Sequence, residues 1–350
     1  MASSPDSNRL GLKFPAVVMF GAGATRGAFA TNKYPPPLDA DFFEIAGQIR
    51  GRGTPAIARK VLTSVWELYD KTHGIALEEY YRDIETRARI GRFAKTKNQP
   101  KDWTRRRREL EELIRRVFIH TTADLSTRQA YVSEIHERLL GQLESQCTLI
   151  TFNYDMVIEE SLARTGPWNP RDGFGTKVSG VSHEWSKHWY RKSALPTRKT
   201  KSVVTLLKLH GSLGWVQYSN RQIRIKNRPY VVRKDMFDRI SIVPPGWDKP
   251  IDINPYKELW RTARLRLERC KSLMIIGYSL PETDLLARAL FSEVVRTRSS
   301  RKEYLRNLFL VHRSEDVKNK FAALFAPTLG PFGKVFRFRA FEELDELLKD

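Results

Sequence analysis

A glycine turn follows the first apolar run of the chain, and turns of this kind often hold the phosphates of a nucleotide. The segment VVMFGAGATRGAFA (17–30) contains Gly21 and Gly23, which fit the first two glycines of the dinucleotide pattern G-x-G-x-x-G. The third position is Arg26, and Gly27 comes one residue late. Taken alone, the segment fits a phosphate-binding turn and a plain tight turn between a strand and a helix about equally well.

Polar residues and glycines follow three later apolar runs in the same way, and these residues could do chemistry. They are Asn153 and Asp155, His210 and Gly211, and Gly277 and Ser279. The carboxyl ends of parallel strands meet at one edge of a sheet and ligands bind beyond it, so we expect these residues to converge with Gly21 on one crevice. Two structural explanations stay open. Asn153 and Asp155 could shape a turn or cap the next helix, and a lone histidine is more often structural than catalytic.

Short apolar strands separated by helices must position these residues. The strand segments are 14–20, 147–155, 202–212, 271–284 and 307–316, the later ones counted with the polar loop that ends them, and a helix is expected over 255–269. This alternation predicts an α/β fold with a mainly parallel sheet.

A helical block separates the first strand from the second. After a proline break at 34–43, apolar residues recur at helical spacing and form one stripe: Leu110, Leu113, Ile114, Val117 and Phe118. We therefore expect a single domain over 1–350. Its core would comprise 12–38 and 145–350, and 39–144 would be a large helical insertion after the first strand.

Composition narrows the class of protein. The chain has 350 residues, of which 41% are hydrophobic and 29% are charged, and this is typical of a soluble globular protein. No apolar run approaches the roughly 20 residues needed to cross a bilayer, and no secretory signal is recognisable, so we expect a cytoplasmic protein. Cys147 and Cys270 are the only cysteines and the seven histidines lack ligand spacing. A disulfide framework, a four-cysteine zinc module and any other metal site are therefore not expected.

The net charge of +21 is unevenly distributed. The stretch 185–234 contains no Asp or Glu but thirteen Lys and Arg residues. It could attract nucleic acid, the phosphates of a nucleotide or an acidic partner, and a solvated face is an equally good explanation. A second cluster, RRRRELEELIRR from Arg105, interleaves arginines with glutamates and predicts a salt-bridged helix surface.

Together the motifs resemble those of the sirtuin superfamily, in family order along nearly the whole chain. GAGAT (21–25) looks like the nucleotide turn of that family, TFNYD (151–155) like its T-Q-N-I-D motif, LHGS (209–212) like its catalytic H-G and IIGYSLPETD (275–284) like its late G-T-S segment. With PLDADFFE (37–44) and IVPPGWDK (242–249), the set most closely resembles the prokaryotic sirtuin-like branch associated with antiphage defence.

The resemblance implies a Rossmann-like domain that binds NAD and breaks its nicotinamide–ribose bond. Asn153 would lie beside the nicotinamide ribose and help to place the attacking water. Asp155 would face the carboxamide, and His210 would act as a base or polar partner on the ribose. The residues expected to bind NAD are Gly21, Ala22, Gly23, Thr25, Gly211, Gly277 and Ser279, most of them on the phosphate and adenosine side.

Departures from the family pattern shape the expected activity. Sirtuin deacylases carry a zinc module of two C-x-x-C pairs, which this chain lacks. Phe152 and Tyr154 replace Gln and Ile of the second motif, and His312 stands where the family often has an asparagine. We therefore expect a zinc-free NAD glycohydrolase that releases nicotinamide and ADP-ribose. The alternatives are a deacylase or ADP-ribosyltransferase, and a non-catalytic module that binds nucleic acid or a partner through 185–234.

Effectors of this branch are commonly held silent until a partner or an oligomer activates them. The resemblance therefore implies an antiphage effector acting by abortive infection. Its activator would be a separate sensor, such as a HerA-type ATPase or an Argonaute-like protein, or its own assembly into a homo-oligomer.

Overall fold

The computed structural model describes most of the chain. The described residues are 10–51, 53–69, 74–93, 99–124, 126, 129–165, 168–181, 201–217, 223–225, 240–243 and 252–349.

The strands alternate with helices along the chain. The strands are β1 (Ala16–Phe20), β2 (Ala123–Asp124), β3 (Gln129–Ala130), β4 (Cys147–Thr151), β5 (Val178–Val181), β6 (Thr205–Lys208), β7 (Gly211–Gln217), β8 (Ile223–Ile225), β9 (Ile240–Ile242), β10 (Ser272–Ile276), β11 (Leu305–Val311) and β12 (Leu329–Phe338). The helices are α1 (Ala22–Ala28), α2 (Phe42–Gln48), α3 (Thr54–Leu68), α4 (Leu77–Phe93), α5 (Gln99–Thr122), α6 (Glu134–Gly141), α7 (Val157–Thr165), α8 (Tyr256–Arg269), α9 (Leu285–Arg301), α10 (Glu315–Phe325) and α11 (Phe341–Lys349).

Six strands form one parallel sheet in the order β12-β11-β10-β1-β4-β6. Numbered within the sheet along the chain, this is the order 3-2-1-4-5-6 of the Rossmann fold. The strand order reverses between β1 and β10, so the topological switch point lies at their carboxyl ends. Phe20 pairs with Thr151 on one side and with Ile276 on the other, which puts three strand ends at one level. The predicted α/β fold with a mainly parallel sheet is confirmed.

The central strands read as continuous apolar runs because helices cover both faces of a sheet of this kind. Every residue of β1, β4 and β10 is buried. Around them, α6 packs against α7 and α11, and α8 packs against α9. The observed α8 starts one residue after the helix predicted from 255, so this prediction is also confirmed.

Helices α2 to α6, with the small β2–β3 hairpin, occupy the block between β1 and β4. The predicted apolar stripe lies on α5. Four of its members, Leu110, Leu113, Ile114 and Val117, are completely buried, and Phe118 packs on the core half-buried.

The arginine cluster on α5 forms the predicted ion pairs. Arg106 contacts Asp102 at 3.0 Å and Glu67 of α3 at 2.8 Å. Arg107 pairs with Glu111 one turn later. The cluster is therefore a salt-bridged helix surface, and it ties α5 to α3.

Two stretches depart from the sequence prediction. The segment 202–212 is two elements, because Gly211 has φ +80° and redirects the chain from β6 into β7. β7 belongs to a second sheet with the order β5-β8-β7-β9. The edge strand β12 was not predicted, since its glycines and proline (LGPFGK) are typical of a turn and its residues are mostly half-buried or exposed.

The insertion is anchored to the Rossmann core beside the switch point. Thr283, in the loop after β10, donates a hydrogen bond to Glu78 of α4. Arg26 of α1 pairs with Asp41 at 2.9 Å and donates to the carbonyl of Pro36. The helical insertion thus contacts both the loop after β10 and helix α1.

Candidate active site

Two glycine segments pack against each other at the switch point. The amide of Gly21 donates to the carbonyl of Ile276, and the amide of Gly23 donates to the carbonyl of Gly277. A Cβ added to Gly21 would lie 2.5 Å from the Gly277 carbonyl oxygen, and one added to Gly277 would lie 2.2 Å from the Ala24 nitrogen. Gly277 also has φ +61°. The glycines are therefore required by close backbone contact between the turns after β1 and β10.

This packing bears on the predicted role of the glycine turn. The amide of Ala24 donates to the carbonyl of Gly21, so the amides of Gly21, Gly23 and Ala24 all have protein acceptors. These bonds show that the turn packs against the turn after β10, and they are compatible with the plain tight turn that the sequence left open. Phosphate binding by Gly21, Ala22 and Gly23 stays a prediction.

Asn153, Thr25 and Asp155 form one buried hydrogen-bonded chain. The Asn153 Nδ2 donates to the carbonyl of Gly21 at 3.0 Å and to the Thr25 Oγ1 at 3.1 Å. The Thr25 hydroxyl donates in turn to the Asp155 Oδ2 at 2.9 Å. The exposed fractions are 9% for Asn153, 3% for Thr25 and 2% for Asp155.

The partners fix which atom of the Asn153 side chain can serve a ligand. The Gly21 carbonyl can only accept, so the atom facing it must be the amide nitrogen. Both hydrogens of that nitrogen are then donated, one to the Gly21 carbonyl and one to the Thr25 hydroxyl. Within the part of the chain that the structure describes, no group donates to the Asn153 Oδ1. This oxygen is therefore suited to accept a hydrogen bond from a water molecule or a ribose hydroxyl.

Asp155 accepts hydrogen bonds from two different segments of the site. Its Oδ1 accepts from the amide of Val157, the first residue of α7, and its Oδ2 accepts from Thr25. The sequence left open that Asp155 shapes a turn or caps the next helix, and a bond to the amide two residues later shapes a turn of this kind.

His210 lies in an aromatic enclosure. Its ring centroid is 5.1 Å from that of Phe152, 6.2 Å from that of Tyr154 and 6.4 Å from that of Trp260. Phe152 also stacks on Tyr278 at 4.5 Å. His210 is 7% exposed, so its imidazole has a largely dry environment. The two residues that flank Asn153 in sequence thus contact His210, whereas Asn153 and Asp155 contact Thr25.

Sequence reasoning missed the aromatic residues Trp260 and Tyr278 of this enclosure. Tyr278 lies between the predicted Gly277 and Ser279, and its hydroxyl donates to Asp284 at 2.8 Å. Burial, and then the neighbouring Asp284, raise the pKa of Tyr278, so the phenol stays neutral. Trp260 lies on the predicted helix α8, but nothing in its spacing indicates that it contacts a histidine 50 positions earlier.

Other predicted site residues lie around this group. Gly211 is buried and opens β7, directly after His210. The side chain of Ser279 is exposed beside Gly277. The His312 Nδ1 accepts from the amide of Ser314, and burial lowers the pKa of that imidazole.

The cysteines do not provide reactive groups. Burial raises the pKa of Cys147 to about 12 and that of Cys270 to about 11, so both remain thiols.

In the described ranges, no group of three or more His, Cys, Asp or Glu residues could hold a metal ion. No helix in those ranges is long and apolar enough to span a membrane. Most of the basic stretch 185–234 lies outside the described residues, so its predicted contact with nucleic acid or a partner stays a prediction.

Comparison with known proteins gives a family. The model of the family described as "SIR2-like domain" matches residues 148–326, which is just over half of the chain. No curated protein matches the sequence.

Among solved structures, a Sir2 homologue in complex with NAD is 14% identical with a TM-score of 0.42. The match covers 95% of this chain and 88% of the homologue's chain. A Sir2 homologue mutant with 2′-O-acetyl ADP ribose is 15% identical with a TM-score of 0.41, covering 95% of this chain and 90% of its own. On the family match, this chain belongs to the SIR2-like domain family.

Proposed function

We propose that the protein is an NAD glycohydrolase, which cleaves NAD with water into nicotinamide and ADP-ribose. The single observation that carries the proposal is the buried chain Asn153–Thr25–Asp155, placed beside the β1–β10 switch point where Rossmann folds bind nucleotides. Membership of the SIR2-like domain family supports NAD as the substrate.

The reaction needs little acid chemistry. The oxygen of a water molecule bonds to C1′ of the ribose, and the C1′–N bond breaks with its electron pair passing to the nicotinamide ring. The water loses one proton. The nicotinamide ring is cationic in NAD and leaves as a neutral molecule, so its departure makes the sugar oxocarbenium-like. The protein must therefore mainly place the attacking water and exclude other water molecules.

The residues of the site can meet these needs. The Asn153 Oδ1 would accept a hydrogen bond from the attacking water or the ribose, because the Nδ2 of that amide is held by Gly21 and Thr25. His210 would receive the proton or bond a ribose hydroxyl. Its aromatic neighbours would keep bulk water away from the sugar.

We further propose that the activity is controlled by a separate sensor protein or by assembly into a homo-oligomer. This part of the proposal rests on the resemblance of the motifs to effectors that a partner or an oligomer activates. An antiphage role by abortive infection rests on the resemblance of the motifs to the prokaryotic branch.

The test follows nicotinamide release by chromatography, for the chain alone and with the product of the neighbouring gene. We expect Asn153→Ala and His210→Ala each to lower turnover by about 10²-fold, the usual loss for a positioned polar or acid–base group. Asn307→Ala is the matched control for asparagine. Asn307 is 8% exposed and its Nδ2 also donates to a backbone carbonyl, but it pairs with Ser272 at the amino end of β10. His120→Ala, in the insertion, is the control for histidine.

Three outcomes would separate the candidate functions. Turnover equal to wild type in both site variants would contradict a hydrolase mechanism that uses Asn153 and His210. Nicotinamide release that depends on an added acyl-lysine peptide would favour a deacylase. Binding of a partner without any loss of NAD would leave the non-catalytic module.

A further inference from the structure

A buried ion pair lies behind the site, and the proposed hydrolysis does not use it. The Lys208 Nζ, at the end of β6, is 2.8 Å from the Glu159 Oε1 and 2.9 Å from its Oε2. Both side chains are 1% exposed. Replacing a buried ion pair by apolar residues is often neutral for stability, so stability alone does not explain this pair.

The pair contacts both segments that carry the site residues. The Lys208 Nζ also donates to the backbone carbonyl of Asp155. The Glu159 Oε1 accepts from the hydroxyl of Ser212 at 2.8 Å. Lys208 precedes His210 by two residues, and Ser212 follows it by two.

The geometry of these bonds is restrictive. The Lys208 Nζ donates to the Asp155 carbonyl oxygen and to the Glu159 Oε2, and it lies 2.8 Å from the Glu159 Oε1 in an ion pair. Two backbone hydrogen bonds run beside it, from the Leu209 amide to Thr151 and from the Leu213 amide to Tyr154. The charged pair therefore joins the segment 151–155 to the segment 209–213 at a fixed distance.

We propose that Lys208 and Glu159 are positioning residues that set the separation of Asp155 and His210. The consequence for turnover rests on the proposed NAD hydrolysis. Neither residue touches the reacting atoms. A displacement of about 1 Å at a catalytic group can cost about 100-fold in rate, so a loosened segment would appear mainly in kcat.

The experiment compares the double variant Lys208→Met/Glu159→Leu with wild type. These apolar residues fill similar volume without leaving a lone charge, so we expect the melting temperature to stay within a few degrees of wild type. We expect kcat for nicotinamide release to fall about 10- to 100-fold, with a smaller change in KM. A double variant with wild-type kcat would overturn the proposal.

The matched control is Glu160→Gln, on the same turn of α7. Glu160 is 2% exposed and pairs with Arg164 of its own helix, so it tests the loss of a buried carboxylate that belongs to a different ion pair. We expect Glu160→Gln to keep the wild-type kcat. If the double variant does not fold, Lys208→Gln/Glu159→Gln, which also leaves no lone charge, gives the same comparison.

A second measurement separates this proposal from the proposed reaction. If wild type consumes no NAD with any partner, the hydrolase proposal fails, and hydrogen exchange decides the role of the pair. Faster exchange of the Leu209 and Leu213 amides in the double variant, at equal global stability, supports positioning. Unchanged exchange in that case overturns it.

Discussion

At the scale of single residues, Thr25 links the two polar residues of the second motif. Its hydroxyl accepts from Asn153 and donates to Asp155. Thr25→Val keeps the shape and removes both bonds, so we expect it to lower nicotinamide release by about tenfold or more and to cost about 1–3 kcal/mol in the free energy of unfolding. Thr25→Ser is the control, because serine keeps the hydroxyl. Equal turnover in the valine and serine variants would contradict a linking role for Thr25.

The residues of the site differ in how far the sequence predicts them. Asn153 and Asp155 follow an apolar strand, and their approach to the first glycine turn follows from the parallel sheet. Their shared partner Thr25 was expected only as an NAD-binding residue, although the structure places it between them. The contact of His210 with Trp260 joins two elements without a shared local pattern, so no spacing rule could reveal it.

At the scale of elements, the turns after β1 and β10 depend on glycine. A Cβ at Gly277 would approach backbone atoms of Gly23 and Ala24, and the left-handed φ disfavours any side chain. We expect Gly277→Ala to lower the free energy of unfolding by about 2–4 kcal/mol, measured by urea denaturation. Gly141→Ala is the control, since a Cβ there at the end of α6 meets nothing within 4 Å. If the two variants had equal free energies of unfolding, the turns after β1 and β10 would be able to move apart without loss of stability.

Helices and strands are predictable from the sequence where one hydrophobic periodicity dominates. The buried strands β1, β4 and β10 are apolar runs with clear ends, and α5 carries a regular stripe. The split of 202–212 was not predictable in the same way. Only two residues separate β6 from β7, and the positive φ of Gly211 marks the point where the chain passes from one sheet to the other.

At the scale of the whole molecule, burial shifts the pKa of two histidines of the helical insertion, and one of them packs against side chains of the Rossmann core. The His136 ring, on α6, lies between Phe20 of β1 and Phe341 of α11, with Ser133 as a hydrogen-bond partner at 2.6 Å. Burial lowers the pKa of His136 to about 3. His120, on α5, bonds to Thr54, and burial together with Arg116 lowers the pKa of His120 to about 4. Both imidazoles are thus neutral in the folded protein and bind a proton more readily when it unfolds.

These two histidines predict how stability depends on pH. An unfolded histidine titrates near 6.5, so their contribution to stability is fully present above that pH. It is lost as the pH falls below 6.5 toward the folded pKa values, because the unfolded state then binds protons that the folded state does not. For the fully buried His136 the loss is about 1.4 kcal/mol per pH unit. The half-buried His120 should contribute less.

The measurement is urea denaturation of wild type and His136→Asn at several pH values from 7.5 to 4.5. Asparagine can keep a bond to Ser133, so the variant should fold, with some loss of packing against Phe20 and Phe341. We expect the free energy of unfolding of wild type to fall with decreasing pH more steeply than that of the variant, by about 1.4 kcal/mol per unit below pH 6. Carboxylates that titrate in the same range affect both proteins alike, so the difference in slope isolates His136. Parallel curves would mean that His136 is protonated without cost in the folded chain, and the dry packing around the end of β1 would then be wrong.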